Sequence, residues 1–485
     1  MSISINTASI YSNFSNLRNL SREIEESALR ISTGSQMNHA RDNVGGLHSS
    51  ITLRAGASAA LRYAKNASEG LATLSTADIA LDEVSDLVNR FRELAIEASN
   101  TATTATRRTA IQAEATAVTD QITQLSADTV HNGTKLLDGT FTTKTYQIGP
   151  STTSNVSVSL TSSSAANLGA YMLTGSTRAA TSAATSATAN DTSANEDVTI
   201  AGTTIEAAAN DSAKAMATKI NSVSSTTGVT AIAETYALLE TSDVSATTYT
   251  IKINDTSTAS FSISASDVSG AVTAINAVST NTGVSASATS DFKVLLHDAD
   301  GDDLTVENAD SDTGLSVQAV QIDGTTTQGS AVSLGASGAS DATRVIGTIR
   351  LSSDSSFSVT QSGTASQGYL STASSAIAPL STASLATSID AAKAITIADS
   401  ALNQVATLRG TIGAAESRLT FSESVNERTY QNKVTSLSSL SDADIAVEAA
   451  RLAKAQMLQK VSLAVQAQAR SADELIIALL KGTAA

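Results

Sequence analysis

The chain has 485 residues, no cysteine, two prolines and a formal net charge of −16 at pH 7. Without cysteine it has no disulfide, no thiolate nucleophile and no cysteine-based zinc site. The acidic excess lies in the middle, where residues 146–384 hold 7 Lys or Arg and 21 Asp or Glu. Such a surface repels polyanions, so nucleic acid and anionic membranes are disfavoured as partners.

The N-terminal residues lack the basic region followed by an apolar region that marks a secretory signal peptide. No run of residues approaches the roughly 18 apolar positions that a membrane-spanning helix needs. We therefore expect no membrane span. If the protein is exported, we expect a route that does not use a cleaved signal peptide.

The first predicted helix runs from about Thr7 to Thr33, because Gly34 suits the left-handed position that ends a helix. Alternating 3- and 4-residue spacings place a narrow apolar seam on one side of this helix, and such a seam is buried only against a matching helix. Ser21 and Ala28 also occupy seam positions. The apolar members of the seam are Ile10, Phe14, Leu17, Ile24 and Ile31.

Two further helices and a turn are predicted before residue 160. Residues 35–46 break the helical pattern and predict a connector. The second helix buries Leu74, Ala77, Leu81, Val84, Val88, Phe91 and Ala95, and the third buries Ile111, Ala115, Val118, Ile122 and Leu125. The tetrapeptide 131–134 predicts a turn, and alternating segments near 146–149 and 156–160 predict a small β-hairpin region.

The middle of the chain contains an internal repeat. Residues 220–229 return 55 positions later as residues 275–284, each copy with an Ile-Asn pair at its start and a Gly-Val pair at its end. Alternating, strand-like segments and a short helical segment precede each copy. The repeat therefore predicts two β-β-α-β units.

Two more helices are predicted at the C-terminal side. The fourth carries apolar residues at 402, 405, 408, 412, 415 and 419, and the fifth begins at Ser441, which fits a capping-box pattern. The fifth helix would extend to Leu480, a length of roughly 60 Å. Its seam, with Gln468 and Ala472 at intervening positions, consists of Leu458, Val461, Val465, Leu475 and Leu479.

Both ends of the chain resemble bacterial flagellins. The N-terminal segments that carry the resemblance are 5–7, 30–34, 38–43, 89–95 and 132–139, and the C-terminal ones are 388–390, 454–459 and 467–469. Their order and spacing across the inserted middle make the resemblance specific. The 55-residue repeat also resembles the module found in the variable region of many flagellins.

The resemblance implies an α+β fold, with mostly helical ends and an inserted, β-rich variable region. Residues 1–42 and 441–485 would form a coiled-coil domain of an inner tube, and 43–169 with 385–440 a helical bundle of an outer tube. Residues 170–384 would be the surface-exposed variable region. The protein would polymerise into the extracellular filament of the bacterial flagellum, without cofactors and without enzymatic activity.

The resemblance also implies partners. The chain itself is the first of these, in a helical homopolymer. The others are the flagellar export apparatus, an export chaperone, the filament cap and the hook-associated proteins. A patch of Arg90, Leu94 and Glu114 matches one that is buried between protofilaments in the family and is recognised by the vertebrate Toll-like receptor for flagellin. The alternative interpretation of these charges is a solvated helix face, because exposed charge pairs contribute little.

Small or polar residues make both terminal seams weak, since burial stabilises by only ~25 cal/mol per Å² of apolar surface. We therefore expect both ends to be mostly disordered in the free monomer and to become ordered when neighbouring copies cover them. Growth by nucleation would follow, because the first subunit has no partner to fold against. Disordered ends would also pass through a narrow export channel.

Other kinds of site have weaker support. His297 is the one histidine of the variable region, and the sequence lacks the paired histidines and glutamate of a zinc protease. Acidic residues at 298–307 leave calcium binding as an alternative to a solvated β-turn. A hook-filament junction protein or a secreted adhesin with similar helical ends is the alternative function.

Overall fold

The computed structural model describes residues 7–190, 192, 196–362 and 369–482, and for 7–10 and several positions after 471 it describes the backbone alone. The chain divides into two compact units. The first is Met1–Thr73, Thr145–Ser157 and Ala414–Ala485, and the second is Leu74–Lys144 and Val158–Gly413. Long helices lie at both ends of the sequence and short strands between them, which confirms the predicted α+β class.

Three helices and two strand pairs make up the N-terminal part. They are α1 (Thr7–Thr33), α2 (Val44–Ser99), α3 (Ala105–Asp128), β1 (Val130–His131), β2 (Thr134–Lys135), β3 (Lys144–Gln147) and β4 (Asn155–Val158). β1 pairs with β2, and β3 with β4. Asn132 and Gly133 both have positive φ, as a two-residue hairpin turn requires, so the predicted turn is confirmed.

The first connector is shorter than the predicted span 35–46. Gly34 has φ +69° and ends α1 as expected. However, α2 already begins at Val44, because Asn43 Oδ1 accepts a hydrogen bond from Gly46 N at 2.9 Å. A side-chain acceptor of this kind satisfies a free N–H of the first helical turn. Gly45 and Gly46 therefore lie inside the helix, and the predicted end of the connector was wrong.

The middle of the chain begins with strand β5 and the first repeat. These elements are β5 (Gly169–Thr174), β6 (Val198–Ile200), β7 (Thr203–Ile205), α4 (Ala213–Ser222), α5 (Ser224–Thr227) and β8 (Thr230–Thr241). The second repeat contains β9 (Thr247–Tyr249), β10 (Ile251–Ile253), β11 (Thr256–Ser257), β12 (Phe261–Ile263), α6 (Ser269–Ala277), α7 (Ser279–Thr282) and β13 (Val284–Ala288). Both copies thus have strands, a helix and a returning strand, as the repeat predicts.

Nine strands and a short 3₁₀ helix at Leu380–Thr382 follow in the described chain. The strands are β14 (Val294–Asp298), β15 (Leu304–Asn308), β16 (Leu315–Val320), β17 (Thr327–Ser333), β18 (Ala342–Val345), β19 (Thr348–Ser353), β20 (Ser358–Gln361), β21 (Ala373–Ser374) and β22 (Ala376–Pro379). The largest sheet has the order β13-β14-β8-β19-β5-β22, and β16 also pairs with β8. β8 therefore connects the two repeats.

Each repeat has its own apolar core. In the first repeat, Met216 and Ile220 of α4 are buried against strand residues that include Ile200 and Leu351. In the second, Ile275 of α6 is buried with Tyr249 and other strand residues. Because each helix covers its own strands, the middle of the chain has cores that need no residue from the first or the last helix of the sequence.

Two long helices complete the described chain, α8 (Ser388–Ser441) and α9 (Ile445–Gly482). The predicted start of the last helix at Ser441 was wrong, because Ser441 is the final residue of α8. Asp444 is the residue that caps α9: its Oδ1 accepts hydrogen bonds from Ala446 N (2.9 Å) and Val447 N (3.1 Å). Aspartate satisfies the free N–H groups of the first turn, so a new helix begins at residue 445 and the helical structure is interrupted between 441 and 445.

The periodicity predicted for the inner helices is confirmed. Leu74, Leu81, Val84, Val88 and Phe91 of α2 are almost completely buried. Ile111, Ala115, Val118 and Ile122 of α3 are buried as well, and so are Val405, Ile412 and Leu419 of α8. These helices therefore bury their apolar faces within the single chain.

Candidate assembly surface

α1 and α9 run antiparallel to each other. At their near ends, Gln36 N donates to Ser441 O (2.8 Å) and Ala443 N donates to Gly34 O (2.9 Å). Farther along the helices, Gln459 Nε2 donates to Ser21 Oγ (3.2 Å). Residue numbers therefore increase along α1 in the direction in which they decrease along α9.

One face of α1 is less exposed than the others. It carries the half-buried residues Leu17, Leu20, Ile24 and Ile31 and the buried Ser27. Three of these five belong to the predicted seam, whereas Leu20 and Ser27 do not.

Of the other predicted seam positions of α1, Ser21 is half-buried and accepts the hydrogen bond from Gln459, whereas Phe14 and Ala28 lie away from the covered face. Phe14 is 54% exposed, and Ala28 is exposed too. Counted from Leu17, the spacings between residues on the covered face are therefore 3, 4, 3 and 4. The predicted seam has spacings of 4, 3, 4 and 3 from the same residue. The side chain of Ile10 lies outside the described residues.

The face of α9 that is covered by α1 is largely small or polar. Glu448 and Ala455 are buried, and Leu452, Gln459, Ser462 and Gln466 are half-buried. The spacing alternates between 4 and 3 residues, so all six lie on one side of the helix. Leu452 is the one large apolar residue among them. The pair consequently buries little apolar surface.

The predicted seam of α9 is on a different face and is uncovered. It is turned by one residue, about 100° around the helix, from the covered face. We call this exposed seam the outer stripe; Leu479 belongs to its pattern, but its side chain lies outside the described residues. The described members are 45–65% exposed, namely Leu458, Val461, Val465 and Leu475.

A buried carboxylate lies between the two helices. Glu448 Oε2 accepts a hydrogen bond from Ser27 Oγ (3.1 Å), and Oε1 accepts from Arg30 Nη1 (3.3 Å) and Arg451 Nη1 (3.0 Å). Its side chain is 7% exposed. A buried charge is tolerated only when it is paired and hydrogen-bonded, and here both conditions are met. Sequence analysis missed this residue, because a glutamate in a helix predicts a solvated position.

The structure brings two of the three patch residues together. Arg90 Nε donates to Glu114 Oε1 (3.1 Å), and Arg90 Nη1 donates to Glu93 Oε2 (3.1 Å). The hydrogen bonds that Arg90 donates to both carboxylates, those to Glu114 first, raise the pKa of Arg90 above its usual value. The side chain of Leu94 is 2% exposed and belongs to the core, so it is not part of that surface in the single chain.

The acidic segment at 298–307 is neutralised by basic side chains. Lys214 Nζ donates to Asp302 Oδ2 (2.8 Å) and Asp300 Oδ2 (3.0 Å), and Arg344 Nη1 donates to Asp303 Oδ2 (2.9 Å). Among the described residues, no group of three or more His, Cys, Asp or Glu is arranged to hold a metal ion. The segment between β14 and β15 is a turn that is solvated only in part, with Asp300 exposed and Asp298 buried. None of the helices that the structure describes is long and apolar enough to cross a membrane.

Three family models match the chain. The bacterial flagellin N-terminal helical region matches residues 3–142, the bacterial flagellin C-terminal helical region matches 395–480, and the flagellin hook IN motif matches 186–238. Together they cover more than half of the chain. The last of them contains the first repeat.

Curated relatives are similar along different shares of the chain. The B-type flagellin of Pseudomonas aeruginosa is 29% identical over 477 residues, which are 96% of this chain and 97% of the relative. Flagellin B of Vibrio cholerae is 35% identical over 126 residues, 26% of this chain and 34% of the relative.

Solved structures show more distant similarity. FliC from Burkholderia pseudomallei is 18% identical, with a TM-score of 0.31, and the match covers 72% of this chain and 99% of that one. Flagellar hook associated protein-3 from Legionella pneumophila is 13% identical, with a TM-score of 0.36, and the match covers 80% and 98%.

Proposed function

The chain belongs to the bacterial flagellin family, and we propose that the outer stripe of α9 is the surface through which one subunit holds the next. As a family member the protein is a structural subunit, not an enzyme, and it self-assembles into the extracellular filament that serves motility. The proposal concerns which residues carry that assembly.

The exposure of the outer stripe is the observation that supports the proposal. In the single chain Val461 is 53% exposed and Val465 is 52% exposed, although valine gains by burial. The intramolecular partner α1 covers the polar face of α9 instead. A second helix from a neighbouring copy would bury the stripe and recover the apolar energy that the monomer lacks.

The seam of α1 would be divided between two partners. Leu17, Ile24 and Ile31 are half-covered within the chain, and Phe14, which is 54% exposed, would contact a neighbouring copy. Ile10 is assigned to the seam of α1, and Leu479 to the outer stripe of α9, by sequence spacing alone. A contact between the outer stripe of one copy and α1 of the next uses two different surfaces. Such a heterologous contact repeats without closing and generates a helical fibre.

The parts of the chain would then have separate tasks. Residues 1–42 and 441–485 would form the inner tube, residues 43–169 and 385–440 the outer tube, and residues 170–384 the exposed surface. The separate apolar cores of the two repeats support this division, because the middle needs no residue from the terminal helices to be buried.

Export would precede assembly. We propose that the chain leaves the cell unfolded through the flagellar export apparatus, with a chaperone and without a cleaved signal peptide. At the growing end it would meet the filament cap, and at the base the hook-associated proteins. The thin α1–α9 interface supports this order, since helices that bury little apolar surface unfold at small cost.

Recognition of shed monomer by the vertebrate Toll-like receptor would use the Arg90–Glu114 pair. Both side chains are half exposed, so a partner can contact them in the free subunit. The buried Leu94 would support the helix surface from below.

The experiment is electron microscopy of purified protein after polymerisation, with Val461→Ser/Val465→Ser compared with the unchanged chain. We expect long filaments from the unchanged chain and none or short ones from the double variant. Lys460→Ser, an exposed change on the same turn, is the control and should polymerise normally. A truncated chain that lacks 441–485 should form no filaments, and normal polymerisation by that chain would refute the proposal.

Copy number separates this function from the hook-filament junction alternative. A filament subunit is the dominant protein of sheared appendages, whereas a junction protein is a trace component. We expect the former, and quantitative electrophoresis of sheared appendages measures it.

A further inference from the structure

The covered faces of α1 and α9 provide little apolar discrimination between alternative alignments. α1 offers similar aliphatic residues at Leu17, Ile24 and Ile31, one heptad apart. On the covered face of α9, small and polar residues alternate around Leu452. A slip of seven residues would therefore exchange one such contact for a similar one.

Glu448 behaves differently in such a slip. In the observed alignment it meets Ser27 and Arg30 of α1. Seven residues in one direction would place it beside Leu20 and Glu23, an aliphatic side chain and a like charge. Seven residues in the other direction would place it beyond Thr33, where α1 has ended. The first slip would leave a buried carboxylate without its partners on α1, which is strongly unfavourable. The second would remove both hydrogen bonds between Glu448 and α1.

We propose that Glu448 is the positioning residue that sets the alignment of α9 along α1. Backbone hydrogen bonds near Gly34 hold the near ends of the helices through their connecting segments, and Glu448 fixes the helices themselves. Polar residues inside other helix pairs act in this way: they specify one alignment, although the pair is less stable than with apolar residues at those positions. Ser27 and Arg30 are the residues of α1 that bind the Glu448 carboxylate in this one alignment.

The alignment matters for assembly because α9 is one continuous helix from Ile445 to Gly482, which carries the whole outer stripe. Sliding α9 by one heptad moves every residue of the outer stripe by about 10 Å along the axis of the helix pair. Neighbouring copies would then meet subunits with displaced stripes. This consequence rests on the proposed function, whereas the alignment itself does not.

Crosslinking can test the alignment directly, because the chain has no native cysteine. Ser21→Cys/Gln459→Cys joins two residues whose side chains are in contact at 3.2 Å and reports the observed alignment. Ser21→Cys/Gln466→Cys and Ser21→Cys/Leu452→Cys report the two slipped alignments. The reagent is a thiol crosslinker shorter than the 10 Å or so of one heptad slip. Gel mobility separates crosslinks within a chain from those between chains.

Among the crosslinks that form in the full chain, we expect the observed alignment to dominate, both in the fraction of monomer whose terminal helices are paired and in filaments. Glu448→Ala should lower the ratio of observed to slipped crosslinks by about tenfold or more, since a buried ion pair is lost. Glu474→Ala, an exposed acid of the same helix, is the matched control and should leave the ratio unchanged.

A second variant separates alignment from stability. Ser27→Ala/Glu448→Leu replaces the polar contact by apolar side chains, so the helices should still pair while slipped crosslinks increase. If this variant and Glu448→Ala both keep the ratio of the unchanged chain, the inference is overturned. Failure of the outer-stripe proposal would look different: filaments would form after Val461→Ser/Val465→Ser, while the crosslink ratio would still respond to Glu448.

Discussion

Asn221 and Asn276 make the same two hydrogen bonds in the two repeats. Asn221 Nδ2 donates to Ala231 O (2.9 Å), and Asn221 Oδ1 accepts from Ala231 N (2.8 Å). Asn276 Nδ2 donates to Ala286 O (2.8 Å), and its Oδ1 accepts from Ala286 N (2.8 Å). In both repeats an amide at the end of a helix thus takes the place of a neighbouring strand. The following Gly228 and Gly283 both adopt the left-handed conformation that ends the helical segment.

Replacing either asparagine should therefore have the same effect. We expect Asn221→Ala and Asn276→Ala each to lower the free energy of unfolding of the middle region by about 1–3 kcal/mol, since each removes two hydrogen bonds with a net contribution of about 0.5–1.5 kcal/mol apiece. Hydrogen exchange should also become faster at Ala231 and Ala286, respectively. Urea unfolding followed by circular dichroism measures the first effect. Asn281→Ala, an exposed change in the second repeat, is the control, and unequal losses from the two variants would contradict the equivalence.

Core packing in the helical bundle predicts a larger loss. Leu81 is completely buried, so Leu81→Ala should destabilise the monomer by about 2–5 kcal/mol through lost burial and a cavity. Ile79, two residues away on the same helix, is 70% exposed, and Ile79→Ala should change monomer stability by less than about 0.5 kcal/mol. Thermal and urea unfolding of the two variants check this. Similar losses from both would mean that α2 packs with a different face.

Acid should weaken the middle region in part through Glu234. Burial acts to raise the pKa of this carboxyl, but the His297 ring, whose Nε2 lies 3.6 Å from Glu234 Oε2, a hydrogen bond from Tyr236 and the charge of Arg350 outweigh it and lower the pKa below 4.5. A depressed carboxyl pKa contributes stability above the unfolded value that is lost as pH falls through the folded value. Stability should therefore decrease on the acid side of pH 4.5, where Glu234 becomes protonated.

The variant Glu234→Gln tests this contribution, because an amide does not titrate. It should be less stable than the unchanged chain at neutral pH and should lose less stability on acidification. Urea unfolding on both sides of pH 4.5 provides the comparison. Glu206→Gln, at an exposed position, should keep the pH dependence of the unchanged chain. An unchanged slope in Glu234→Gln would exclude Glu234 as a source.

The terminal helices should be protected only in the filament. α1 and α9 cover each other with a largely polar face, so we expect their amides to exchange rapidly in dilute monomer and slowly after polymerisation. Amides of α2 between residues 74 and 95, which lie on a buried face, should be protected in both states and serve as the internal control. Mass spectrometry of hydrogen exchange measures all three segments. Slow exchange at both termini in the monomer would disprove the weak-seam argument.

Arg90 should influence assembly more than stability. Its ion pairs with Glu93 and Glu114 are at the surface, where such pairs contribute little. We expect Arg90→Ala to leave the melting temperature of the monomer unchanged and to slow polymerisation, if the patch lies between protofilaments. Arg107→Ala, which removes a similarly exposed pair with Glu97, is the matched variant. Equal polymerisation rates of the two would argue for a solvated helix face instead. Light scattering during polymerisation gives these rates.

Sequence by itself determined the elements of this protein. Heptad spacing located the long helices and their apolar residues, glycine and asparagine marked the turns, and the recurrence after 55 residues predicted two similar units. These features are local, because periodicity depends only on the geometry of one helix or strand. The same spacing correctly identified most of the large buried residues of α2, α3 and α8, although Leu125, Leu402 and Leu408 are only half-buried.

Only the tertiary structure decided which partner covers which face. An apolar stripe specifies that something must cover it, but α1 covers the polar side of α9 and leaves Leu458 and Val461 exposed. Glu448 became recognisable as a buried residue only beside Ser27 and Arg30, more than 400 positions away in the chain. Contacts between such distant segments depend on how the whole chain packs, and a single helix pattern contains no information about that packing.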